Sequence, residues 1–175
     1  AGHAFRAFIY LDMARMFEFL PNDKTSSVNA AGNNVEGLTV PIVRDGMSEE
    51  EARNNPRVDR ATMAAFILED LNAAEEYIVN LEDATKTLPH LDVVYGLKAR
   101  YYMWLEDYAN AKDYARKAIN ASATVPMSEK QCLDPTTGFN NINLWMWGSQ
   151  LMGEDDAVQS GIMNWTSWMS NEAQY

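Results

Sequence analysis

The sequence predicts a mainly α protein of antiparallel helix pairs, with irregular loops and short strands near its C-terminal end. The first observation behind this is residues 61–82. There Ile67, Leu71, Ala74, Ile78 and Leu81 recur at alternating spacings of four and three and draw one continuous helical stripe. The second is 91–121, two helical patterns separated only by Glu106 and Asp107, a link so short that the second helix must fold back on the first. The third is a change of composition after Pro126, where LDPTTGFNNIN is rich in turn formers.

The first helix is read over residues 4–20, AFRAFIYLDMARMFEFL. It has no Gly or Pro until Pro21 stops it, and only Arg6, Asp12, Arg15 and Glu18 are charged. So little polar surface predicts a helix buried between others. Asp12 and Arg15 stand at the i,i+3 spacing that allows an ion pair. Residues 22–37, rich in Asn, Ser, Ala and Gly, read as a loop, and LTVPIV (38–43) as an extended, edge-like piece interrupted by Pro41. Ser48 and Glu51 have capping-box spacing and start a short helix that ends before Pro56. Asp59 or Thr62 caps the striped helix that follows. After the break at LPH (88–90) come helices over about 91–105 and 107–121. The second carries a stripe of Ala111, Ala115 and Ala118 that lets a neighbouring helix approach closely. LWMWGSQL (144–151) alternates as a strand would, with Trp145 and Trp147 on one face.

At 175 residues the chain reads as one domain able to bury a core, and 47% hydrophobic with 11% aromatic residues excludes a disordered chain. Its 25 acidic against 14 basic residues, net −11, argue against nucleic acid and against an anionic lipid surface, and leave neutral ligands open. Cys132 is the sole cysteine, so no internal disulfide forms and no cysteine cluster holds zinc. No apolar run reaches the roughly 20 residues of a membrane-spanning helix. The chain opens on AGHAFRAFIYL without an initiator Met and ends on AQY, which reads as a piece of a longer protein.

Residues 95–119 resemble a tetratricopeptide repeat. Tyr95 takes the first aromatic place and Ala99 the small one. Tyr102 and Tyr108 flank the turn, and Ala111 and Ala118 sit at helix-packing positions. Glu106 replaces the turn glycine, and the closing proline comes late, at Pro126. One repeat cannot bury its own face, so neighbouring elements are required. The order of the motifs narrows the resemblance further. RAF (Arg6 to Phe8) with Arg15, then VPIV (40–43), then Arg60, Thr62, Leu68, Asp70 and Leu71, then the hairpin, together look like the SusD/RagB family. The likeness covers residues 4–121 and fades after about 150.

This resemblance implies a SusD-like α-superhelix that binds a polysaccharide or oligosaccharide without catalysis. It implies capture for a SusC-like TonB-dependent transporter, on the extracellular face of the outer membrane, with the lipid anchor and signal upstream of residue 1. It further implies a large C-terminal portion downstream of Tyr175. Residues 1–125 would then be scaffold and 126–175 the loop-rich, ligand-facing part.

The ligand-facing candidates lie in NWTSWMS. A sugar platform needs flat rings against the C–H face of a pyranose, with amide groups reaching its hydroxyls. Trp165 and Trp168, with Asn164, Asn171, Gln174 and Tyr175, have that composition. Core packing is the competing reading and the commoner fate of such rings. Trp145 and Trp147 read as core, and Trp104 as core or helix contact. Glu154, Asp155 and Asp156 lack the alternating spacing of a calcium loop and read as a solvated turn. His3 and His90 have no partner at ligand spacing, so neither a metal nor another cofactor is expected. No nucleophile–base pair, phosphate loop or HExxH is present, which argues against catalysis. A tetratricopeptide-type protein-interaction module and a fragment of a carbohydrate-active enzyme remain the rival readings.

Overall fold

The computed structural model describes residues 1–81, 85–138 and 141–148. Its elements follow the chain as α1 (Gly2–Phe17), α2 (Glu49–Arg53), α3 (Arg60–Tyr77) with a 3-10 turn at Ile78–Asn80, α4 (Leu91–Trp104), α5 (Tyr108–Ala121), α6 (Glu129–Cys132) and a second 3-10 turn at Ile142–Leu144. The architecture is mainly helical, as the periodicities predict.

The core is the junction of α1, α3 and α4. Ala4, Ala7, Leu11 and Ala14 of α1 are buried, and the small residues among them let α1 lie close on Met63, Ile67 and Leu71 of α3. On its other side α3 meets Val94, Leu97 and Tyr101 of α4. Every residue of the α3 stripe is buried except Leu81, which is partly so. α1 departs from expectation in two ways. It is not buried all round: Ile9, Met16 and Phe17 are over half exposed, because α3 and α4 cover one side of it. It also ends at Phe17, before Pro21, since Glu18 turns to extended backbone and Arg57 donates to the Phe17 carbonyl at 2.6 Å.

The same guanidinium donates to the carbonyl of Leu38 at 2.8 Å and to that of Thr39, which fixes the extended piece 38–43 beside the end of α1. Leu38 pairs with Asp59 as an isolated bridge, and Ile42 is buried behind Pro41. Asp59 is the N-cap of α3 and accepts from the Thr62 amide at 2.8 Å. The Ser48–Glu51 capping box forms in full. α4 and α5 make the expected antiparallel hairpin, in which Asp107 caps α5 and Glu106 takes φ 62°. This is the left-handed position for which a turn glycine would be the natural residue.

The expected strand does not form over its described part, 144–148. A 3-10 turn is followed by bends. Among the described residues no strand lies beside it; side chains and one backbone bond, from the Gly148 amide to the Lys86 carbonyl at 3.0 Å, hold the segment instead. Trp147 sets its ring edge-on against Phe5 (5.2–5.4 Å for the pair of contacts) and Phe8 of α1, and its indole N–H donates to the Thr87 carbonyl at 3.2 Å. Trp145 folds back over Gly148, where a Cβ would stand 2.5 Å from the indole ring. The two indoles therefore have different surroundings rather than one shared face. Trp147 is part of the core margin, as read from the sequence.

Candidate functional site

The glycan candidates Asn164, Trp165, Trp168, Asn171, Gln174 and Tyr175 lie outside the described residues, as do Glu154, Asp155 and Asp156. The described residues hold the family-like motif positions and the surfaces around them.

Arg6 and Asp70, one from each of two motifs, meet across the α1–α3 contact. Arg6 Nε donates to Oδ2 at 2.7 Å and Nη2 to Oδ1 at 2.8 Å, a two-pronged grip matching the fork of the guanidinium to the carboxylate. His3 Nδ1 lies 2.6 Å from Asp70 Oδ1 and donates to it, since an ionised carboxylate only accepts. The Asp70 side chain is 2% exposed. Burial pushes its carboxyl up, but the hydrogen bonds from Arg6 and His3 outweigh burial and hold it below the usual carboxylate range. The Arg6 guanidinium is raised in turn by its bond to Asp70. His3, which the sequence leaves without a partner, is thus the outer member of a three-residue lock. Arg6 already supplies the positive charge there.

The other motif arginines also tie elements together. Arg60 donates to the Trp104 carbonyl, reaches Glu18 at 3.6 Å and lies 5.1 Å from the centre of the Trp104 ring. The Trp104 indole N–H donates to Glu18 at 3.1 Å. Trp104 is therefore half-buried and clamped rather than part of the core proper. Asp12 takes Arg15 at 3.5 Å, as its spacing predicts, and Arg100 of α4 at 2.8 Å. Within the helix pairs, Lys98 buries its ammonium against Asn72 (2.7 Å), the Glu75 carboxylate and the face of Tyr114 (5.0 Å). Tyr101 donates its hydroxyl to the Ala64 carbonyl at 3.1 Å, and burial pushes its phenol up to about 12. The long-range partners of Asp70, Lys98 and Arg60 have no local signature; their presence in otherwise apolar helices is the signal that could have marked them.

Clefts among the described residues include two with mostly apolar linings. One cleft of about 630 Å³ runs along α4 and α5 beside Trp104. A second, of about 440 Å³, is mostly apolar and lies between Ile119, Val125, Met127, Leu144 and Met146.

No family model and no curated protein sequence matches the chain. Among solved structures, a SusD-like carbohydrate binding protein from Bacteroides vulgatus ATCC 8482 superposes with a TM-score of 0.69 at 21% identity. The fold is SusD-like. The match covers 96% of this chain and 33% of that one, so the chain spans about a third of the length of the SusD-like protein. Of the motif positions, Arg6 and Asp70 join α1 to α3, Arg60 joins α3 to the ends of α1 and α4, and Arg15 pairs within α1.

Proposed function

We propose that this chain is the helical part of a SusD/RagB-type, non-catalytic binder of oligosaccharides or polysaccharides. The observation that carries the proposal is the likeness in fold to a SusD-like carbohydrate binding protein over 96% of the chain. The motif order supports it, since Arg6, Arg60 and Asp70 join the helices of that fold. The net charge of −11 fits a neutral glycan. On this reading residues 1–125 are the scaffold with its tetratricopeptide-like pair, and residues from 126 onward face the ligand. Trp165 and Trp168 supply ring faces, and Asn164, Asn171 and Tyr175 hydrogen-bond the hydroxyls. The protein works on the extracellular face of the outer membrane, lipid-anchored, and hands its glycan to a SusC-like TonB-dependent transporter.

Tryptophan fluorescence during titration with neutral and acidic oligosaccharides tests the reading. A saturable shift with one glycan class, lost in Trp165→Ala or Trp168→Ala, is the expected result. A shift that survives both substitutions moves the site elsewhere on the chain. Silence across a broad panel overturns the glycan reading.

A further inference from the structure

Charge is divided unevenly between the two parts of the chain. All 14 Lys and Arg residues lie between Arg6 and Lys130, and none follows in residues 131–175. The proposed ligand-facing part, from 126 onward, therefore holds a single cation, Lys130, against six carboxylates: Glu129, Asp134, Glu154, Asp155, Asp156 and Glu172. The scaffold uses several of its cations internally. Arg6 is held by Asp70, Arg60 by Glu18, Lys98 by Glu75 and Arg57 by three backbone carbonyls. Lys86 reaches the segment after Pro126, where it donates to the Asn143 carbonyl at 2.7 Å.

The clefts of this region carry the same signature. One is bounded in part by Pro126, Met127, Leu144 and Met146, and one by Met127, Gln131, Asn143 and Leu144. No charged side chain lines either; their polar side chains are hydroxyls and amides. A third cleft, bordered by Met146, is lined by both Lys86 and Asp92. Arg15, Arg100 and Lys112 line the cleft beside Trp104, which shares no residue with the other three.

An anionic sugar needs the groups that are missing here. A uronate or sulfate brought from water onto an apolar ring loses hydration, and a charge-assisted bond from Arg or Lys is what replaces it. Where carboxylates predominate, repulsion adds to that cost. A neutral pyranose meets neither, since hydroxyls and amides satisfy its own hydroxyls. We propose, on the strength of the glycan reading, that this part of the chain takes uncharged glycans and rejects those carrying uronate or sulfate groups.

The test is isothermal titration calorimetry of the 175-residue chain with polymers paired by backbone, one neutral and one charged. The pairs are dextran and dextran sulfate, galactan and sulfated galactan, and methyl-esterified polygalacturonate and polygalacturonate. At least one neutral member should bind. Its charged counterpart should compete for the same site at least about tenfold less well at low salt, a gap that narrows as salt screens the repulsion. Glu154→Gln, Asp155→Asn and Asp156→Asn, made together, should raise the charged polymer's affinity and leave the neutral one's unchanged. Removing three exposed scaffold charges instead, by Glu49→Gln, Glu50→Gln and Glu76→Gln, should leave the gap as it is. A gap that closes equally in both variants overturns a local origin for the rejection. A charged polymer that binds as tightly as its neutral counterpart, or binds alone, overturns the inference and leaves the glycan reading standing. Silence toward every polymer overturns the glycan reading and this inference with it.

Discussion

The α1–α3 contact and the α4–α5 hairpin solve the same packing problem with different chemistry. In the hairpin the partners are neighbours in sequence. A two-residue link sets the geometry, alanines allow close approach, and Tyr102 stacks on Tyr114 with centroids 5.4 Å apart and planes 17° apart. α1 and α3 are separated by more than forty residues of loop, extended chain and short helix. There the apolar faces are joined by a buried ion pair, with the fork of Arg6 on Asp70 and His3 closing the outer side. Local connection makes specific polar bonds dispensable in the first case. In the second, alanine and aliphatic surfaces slide easily on one another, and a directional pair selects one register.

The sharpest way to break this contrast is Asp70→Ala. It takes two hydrogen bonds from the partly buried Arg6 guanidinium, whose one remaining carboxylate contact is that with Asp45 at 3.5 Å, and should cost about 2–3 kcal/mol in urea unfolding. Hydrogen exchange should rise in α1 before it rises in α5. The same lock predicts an acid dependence. Asp70 is held below its ordinary range, so its stabilisation is fully present above about pH 4 and is lost as pH falls through its lowered value. In Asp70→Ala that acid-induced loss should shrink; an unchanged acid profile would remove Asp70 as its source.

In the hairpin, Tyr114→Leu removes the stack on Tyr102 and the ring faced by Lys98 and Lys117. It should cost about 1–2 kcal/mol, read by thermal unfolding. Lys98→Met should cost only about 1 kcal/mol or less, because Glu75 is 29% exposed and regains water when its partner goes. A loss as large as that of Asp70→Ala would mean that the two regions use buried charge alike. The smallest effect has the opposite sign. Glu106→Gly relieves a side chain at φ 62° and should stabilise the hairpin by about 0.5–1 kcal/mol.

The tertiary structure changed the meaning of several residues that the sequence makes conspicuous. Trp104 reads as core or helix contact, and the structure makes it a contact at the core margin, clamped by Arg60 and Glu18 from elements far away in the chain. The alternation of LWMWGSQL satisfies a strand pattern, yet over 144–148 Phe5 and Phe8 draw Trp147 inward, and among the described residues no strand lies alongside. α6 was legible and missed: Ser128 and Gln131 form the same capping box as Ser48 and Glu51. The candidate glycan residues from Asn164 to Tyr175 rest on composition alone, being outside the described residues.

Sequence by itself determined α2, α3 and the α4–α5 hairpin, through the Ser48–Glu51 capping box, the stripe of α3 with its cap at Asp59 or Thr62, and the two-residue turn at Glu106 and Asp107. These are interactions within one or two turns of chain, and a one-dimensional pattern records them. Only the tertiary structure decided that Asp70, an acidic residue in an apolar helix, would be the buried receiver of Arg6 and His3, and that the cations of α1, α4 and α5 would gather around one cleft. Those outcomes depend on which faces meet across more than sixty residues, where apolar burial is non-directional and hydrogen-bond geometry selects the arrangement.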